Sequence, residues 1–319
     1  MLPVFDKYLM KLILLVLAFA CSAGSIFAQD VYYNSFNDYE VYTSMSRSSG
    51  FKPRIKRESI FKPTPATSIN SDGLVGFFVG NTAELVDRGE MVLSSRFKYN
   101  VLSSAYGRAY NSAEEGSVSS FETSLTWIGD WAEWSVTVPL HKWDLSAPRT
   151  YGGHANSNNG MGNMKLGWKA SYLRDHSYYR GAYGVVAVFP TGNPDSMLPA
   201  GVKKGEEFKL FGCLTTSETD RAKANIEMGY IINNKDDDEN RFIYNFGLSY
   251  EATEHVSLIS EISGEVQGGD DKDTMDLILG ARFGATEKIK IELAWYRNLR
   301  TYRAYGWDDR LQAGFSMWW

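Results

Sequence analysis

Gln312-Ala313-Gly314-Phe315-Ser316-Met317-Trp318-Trp319 closes the chain, and it alternates. With the two residues before it, Leu311, Ala313, Phe315, Met317 and Trp319 share one face, and Arg310, Gln312, Gly314, Ser316 and Trp318 share the other. Successive side chains of a strand point to opposite faces. An apolar face backed by a small or polar one is what a barrel strand needs when lipid lies outside and a polar lumen inside. Termini are ordinarily frayed and polar, so an aromatic end reads as a strand built into a sheet.

Working back from this stretch, the same period of two recurs. In Glu90 to Val101, residues Met91, Leu93, Phe97, Tyr99 and Val101 oppose Glu90, Ser94, Arg96, Lys98 and Asn100. Arg221 to Ile232, Arg241 to Tyr250, Met275 to Phe283 and Ile289 to Trp295 repeat it. Such charged faces cannot enter a dry core unpaired, and such aromatic faces cannot meet water in this number. About twelve segments of this kind, each long enough for a tilted bilayer crossing, predict an all-β, transmembrane, antiparallel up-and-down barrel. The last strand is expected to pair with the first, near Glu90 to Val101. Short connections such as Arg174 to Ser177 and Ala252 to Glu254 alternate with longer ones such as Ser103 to Gly116 and Asp144 to Met161. That asymmetry predicts short periplasmic turns and longer extracellular loops. Trp127, Trp131 and Trp134 at the first short turn, with Trp318 and Trp319, are expected at the periplasmic interface. Trp143 and Trp307 are expected at the outer rim, where indoles suit the headgroup level.

Ahead of the barrel, Lys7 and Lys11 precede the apolar run Leu12 to Ala20, and Ile26 and Ala28 suit a cleavage site. Residues 1–28 therefore read as a signal peptide, with Met10 an alternative start. Residues 29–72 carry Pro53, Pro63, Pro65 and a basic run from Lys52 to Arg57 without any period. They read as a disordered periplasmic leader, which leaves 73–319 as the barrel. The run Leu74 to Val79 is apolar but short. Among mature residues Cys213 stands alone once Cys21 is removed, so it is expected to be a small wall residue. The net charge of -5, with no long basic block, argues against a nucleic-acid partner.

Inward positions follow from the faces. They are Arg96, Lys98, Glu122, Glu133, Lys165, Lys169, Arg180, Lys209, Arg221, Lys223, Glu227, Arg241, Glu261, Glu265, Asp276, Arg282, Lys290 and Glu292. The two signs are interleaved, so they either form a cross-lumen ion-pair network that closes the pore or line a solute path. Pro139 and Pro190 lack a donor and should interrupt the hydrogen-bond ladder, where the wall would open. Catalysis by a hydroxyl nucleophile needs a His within reach of a Ser and oriented by a third group. Neither His141, on an inner face, nor His154, in a loop, shows a strand-level pairing with a Ser. The acidic runs at Asp236 to Glu239 and Asp270 to Asp273 lack the alternate spacing of calcium loops, and zinc-type spacing is absent. No enzyme, metal or cofactor is expected.

Gly160-Met161-Gly162-Asn163-Met164-Lys165-Leu166-Gly167-Trp168-Lys169, followed by Val186-Ala187-Val188-Phe189-Pro190-Thr191-Gly192, resembles the meta-pathway phenol-degradation-like outer-membrane barrels. That family enters a strand through glycines and leaves the next through a Pro-Thr-Gly corner, and Asn163 stands where it usually has Asp. Asn81 to Glu90 resembles the first-strand entry of related barrels. The resemblance spans roughly residues 80 to 319 and implies a transporter for small organic, aromatic or hydrophobic solutes. Gln312, Gly314, Met317 and Trp319 resemble the C-terminal signal read by the barrel-assembly machinery. The expected surroundings are the bacterial outer-membrane bilayer and its lipopolysaccharide. A plugged structural or assembly-linked barrel and an outer-membrane hydrolase remain the alternatives.

Overall fold

The computed structural model describes residues 68–319 apart from 85–89, 103–114, 130, 147–155, 173–178, 194–204, 220, 236–238, 268–272 and 301–306. The signal peptide, residues 29–67 of the leader and His154 lie outside the described residues. Among those described there is no helix; two short strands, β1 (Ser68–Ile69) and β2 (Val75–Gly76), precede the wall. The wall strands are β3 (Met91–Leu102), β4 (Glu115–Ile128), β5 (Ala132–Ser146), β6 (Asn156–Met161), β7 (Met164–Ser171), β8 (Tyr179–Phe189), β9 (Glu207–Thr219), β10 (Ala222–Asn233), β11 (Arg241–Thr253), β12 (Val256–Gln267), β13 (Thr274–Gly284), β14 (Ile289–Arg300) and β15 (Trp307–Trp318).

Each wall strand pairs antiparallel with its chain neighbour, and β6 and β7 are successive halves of one crossing, both paired to β5. The result is a closed twelve-strand barrel. Its seam is the expected one: β15 pairs with β3 from Trp318↔Val92 to Trp307↔Leu102. Closure leaves no edge strand to satisfy. Outward residues such as Phe97, Leu140, Leu210, Leu293 and Leu311 are exposed, as a lipid-facing surface requires.

Two aromatic positions depart from expectation. Trp318 and Trp143 point inward and are buried, at 5% and 7% exposure. The period of two had already put Trp318 on the inner face, and pleat outweighs nearness to a turn. The turn-end aromatic belt instead gathers on one sector: Trp168 contacts Trp131, Trp134 and Tyr183 at ring-centroid distances of 6.4, 6.1 and 5.6 Å.

The ladder is interrupted at Pro139, as its missing donor requires. Thr137↔Lys165 and Leu140↔Met161 differ by one residue in register, and Gly162 N–H reaches Pro139 O across the gap at 2.8 Å. Pro190 lies just past the end of β8. There the Thr191 hydroxyl substitutes for a strand, accepting from Met164 N and donating to Gly162 O, both at 2.9 Å.

The domain boundary also moves. Ser68 to Asp72 do not belong to a disordered leader, and Asn81 to Glu84 are not the entry of the first strand. Ser68 to Glu84 form one buried segment inside the barrel, folded back on itself by the pairs Ser68↔Gly76 and Ile69↔Val75. We refer to it as the plug. Its turn needs Gly73, whose φ of 80° is costly for a residue with a Cβ.

Candidate functional site: the barrel lumen

The plug occupies the half of the lumen nearest the short turns. There Ile69 and Val75 pack with Val92, Ile128 and Trp318. Its centre is apolar and docks into hollows left by wall glycines. A Cβ on Gly247 would overlap the Phe77 ring, one on Gly280 the Phe78 ring, and one on Gly167 would press on Leu74. Phe78 packs with Ile259, Ile278, Ala294 and Tyr296, and the Arg282 guanidinium lies 4.9 Å from its ring centroid. Leu74 and Ala83 cover Ala182, Val186, Phe211 and Cys213. Cys213 is a free, buried thiol in the wall, as expected.

Two short strands and a few internal turns satisfy only part of the plug's main chain, and burying the remainder unpaired would cost free energy. The inward charges meet that need. Glu261 accepts from Phe78 N at 2.6 Å, Gly80 N at 2.8 Å and Val79 N at 3.3 Å, and from Asn245 Nδ2 at 2.8 Å. Glu227 accepts from Asn81 N at 2.6 Å and Glu133 from Val75 N at 2.7 Å. Lys169 donates to Val75 O, Thr82 O and Glu84 O at 2.7 to 3.1 Å. Arg96 reaches Asn70 O, Lys165 reaches Ser71 O, and Arg282 holds both Gly76 O and Phe77 O. Thr126, Ser135, Thr215 and Asn225 add neutral bonds to plug main chain.

The same charges neutralise one another, which burial demands. Glu292 sits between Arg96 at 2.6 Å and Arg282 at 3.1 Å. Lys169 pairs with Glu133 at 2.8 Å, both fully buried. Lys209 bridges Asp72 and Glu227 at 2.7 Å each, and Lys223 meets Glu84 at 2.5 Å. Burial opposes ionisation of the Asp72 carboxyl, but Lys209 and Lys165 outweigh it and hold the group below its ordinary value of 3.8. Toward the loop end, Lys98 pairs with Glu122 at 2.6 Å, and Arg241 with Glu207 at 2.7 Å and Glu265 at 3.1 Å.

Of the remaining candidates, Asp276 accepts from Asn298 Nδ2 at 2.8 Å, Lys290 lies 4.6 Å from the Trp318 ring centroid, and Arg180 is half-buried opposite Thr215. Arg221 is not in the lumen. It is exposed at the turn before β10, because the strand begins at Ala222. At the seam, Gln312 points inward, accepts from Tyr296 Oη at 2.8 Å and donates to Glu292 at 2.9 Å. Gly314 lies beside Arg96 and Glu292, while Met317 and Trp319 face outward. The expectation that no His meets a Ser across strands fails: register puts His141 opposite Ser120, with Nδ1 and Oγ 2.8 Å apart. Among the described residues, no hydrogen bond ties the ring to an orienting carboxylate, so the pair lacks the third member of a triad.

Above the plug, on the loop side, a cavity of about 350 Å³ remains. Ser71, Asp72 and Val79 lie among its lining, with His141, Lys165, Lys209, Glu207, Arg241 and Glu265 as polar wall and Val186, Val188, Ile231 and Ile243 as apolar wall. The sequence did not disclose the plug. Its one signal was the apolar run Leu74 to Val79, bounded by Gly73 and Gly80 and too short to cross a bilayer.

No protein-family model matches this chain, and no curated protein matches it. Among solved structures, it is similar to the COG4313 outer membrane channel from Pseudomonas putida F1, with a TM-score of 0.59 and 14% identity over 74% of this chain and 98% of that one. The NanC porin (TM-score 0.48, 12% identity, 70% and 98% covered) and the KdgM porin (0.46, 8%, 71% and 98%) also match. At such identity the first likeness shows the fold: the chain is built as an outer-membrane-type β-barrel.

Proposed function

We propose that this chain is a passive channel of the bacterial outer membrane, exported by its signal peptide, that admits small organic solutes into a plugged, charge-lined lumen. The observation that carries the reading is the cavity of about 350 Å³ enclosed by the barrel wall on the loop side, where charged and apolar residues face each other. Ligand sites of this size combine apolar walls with a few polar anchors, which suits an aromatic or otherwise apolar compound bearing a polar group. The resemblance to the meta-pathway phenol-degradation-like family supports the same solute class, and the Pseudomonas putida protein is itself described as a channel. Passage through the turn-end half needs the plug to shift. The wall then binds lipid and lipopolysaccharide, and Gln312, Gly314, Met317 and Trp319 serve the assembly machinery.

The density of bonds to the plug favours a second reading, a permanently stoppered structural barrel. Reconstitution into liposomes separates the two. The channel reading expects swelling with small aromatic acids, stronger for Phe77→Ala/Phe78→Ala, whose plug has lost both ring anchors. Silence from both proteins for every small solute would leave the stoppered barrel.

A further inference from the structure

We propose that the lumen is a receptor for peptide main chain, and that a separate short peptide takes the place of the plug when the plug is out. This goes beyond the channel reading and does not need solute to pass. Much of the inner-wall charge is directed at plug amide groups: three carboxylates, from Glu133, Glu227 and Glu261, take main-chain N–H groups. Lys165, Lys169 and Arg282 take main-chain carbonyls. Glu133, Glu227, Glu261, Lys169 and Arg282 are all at most 2% exposed. They come from separate strands around the wall, so with the plug removed each loses its main-chain partners. Any chain presenting the same arrangement of amides satisfies these contacts, because a main-chain bond reads no side-chain identity.

Side-chain selection comes from the glycine hollows. Gly247 and Gly280 receive two successive phenyl rings, and plug Gly76 and Gly80 stand where a Cβ would overlap plug carbonyl or Asn245. The ligand class is thus a short peptide with two adjacent aromatic residues flanked by glycine and with acidic residues placed to meet Lys209 and Lys223. The covalently attached plug holds the site because tethering raises its effective concentration to the millimolar range. A free peptide therefore binds only where the plug is weakened.

The test uses a synthetic peptide with the sequence of residues 68–84 and the full-length Phe77→Ala/Phe78→Ala variant in detergent. Cys213 supplies the readout, since its thiol lies beneath Leu74 and Ala83. The variant should label with a maleimide at least about tenfold faster than the parent, and the peptide should restore protection. A peptide N-methylated at the Phe78 and Gly80 amides keeps every side chain but loses two donors to Glu261, and should protect at least about tenfold more weakly. Should the thiol of the variant stay unreactive, a chain lacking residues 68–84 replaces it. Labelling indifferent to the peptide, or equal protection by the methylated one, overturns the proposal. Both results are independent of liposome swelling, so failure of the channel reading is seen separately.

Discussion

Lys169 and Glu133 show how one wall residue serves fold and plug together. The pair is completely buried, and Lys169 also holds three plug carbonyls. Removing one member of a buried pair leaves a bare charge, which costs about 3–5 kcal/mol, whereas replacing both by apolar groups is often neutral. Lys169→Met should therefore lower unfolding stability by about that amount, and Lys169→Met/Glu133→Leu should recover most of it in urea titrations followed by tryptophan fluorescence. Equal losses in both variants would mean that plug contacts outweigh the bare carboxylate. Asp72 carries a pH dependence of defined sign. Its folded-state value lies below the ordinary 3.8, so its pairing with Lys209 is complete above 3.8 and is lost as pH falls through the folded value. Conductance should rise in that acid range, and Asp72→Asn should remove part of the step. An unchanged step would assign it to other carboxylates.

The plug is the element on which the site depends, and its attachment is asymmetric. Its ends are held by polar contacts such as Ser68 Oγ to Ser316 Oγ at 3.0 Å and Lys223 to Glu84, its middle by rings in glycine hollows. A bulkier side chain at Gly247 meets the edge of the Phe77 ring, at Cδ2 and Cε2, and not backbone, so the plug yields before the wall does. Gly247→Leu should weaken plug docking by about 1–3 kcal/mol, the usual cost of overpacking. Faster labelling of Cys213 at unchanged far-ultraviolet circular dichroism would show it; loss of the strand signal would mean that the wall gave way instead.

At the scale of the whole barrel, closure is made at the β3–β15 seam, where Arg96, Glu292 and Gln312 join first, penultimate and last strands. Gly314 sits in that junction: an added Cβ would lie 2.9 Å from Ser95 O and 3.0 Å from Arg96 Cγ and Glu292 Oε1. Gly314→Leu should therefore lower the temperature at which the unheated electrophoretic form converts to the denatured one. An unshifted conversion would mean that the seam tolerates the added volume and that glycine there serves the assembly signal alone.

Sequence alone determined the wall: a period of two with opposite chemistry on its faces leaves one arrangement in which both are solvated. The number of crossings, the turn-loop alternation, the seam partner and most lumen residues followed from that period. Register decided what period could not, placing His141 opposite Ser120, and the start of β10 at Ala222 left Arg221 at an exposed turn. Only the tertiary structure disclosed the plug. Seventeen residues, Ser68 to Glu84, hold their place in large part through main-chain groups that every sequence possesses, and their side chains follow no strand or helix period that would announce them. The interleaved wall charges looked equally suited to closing a pore by pairing or to lining a path, because which amides they meet is set by a segment that comes to them across the lumen.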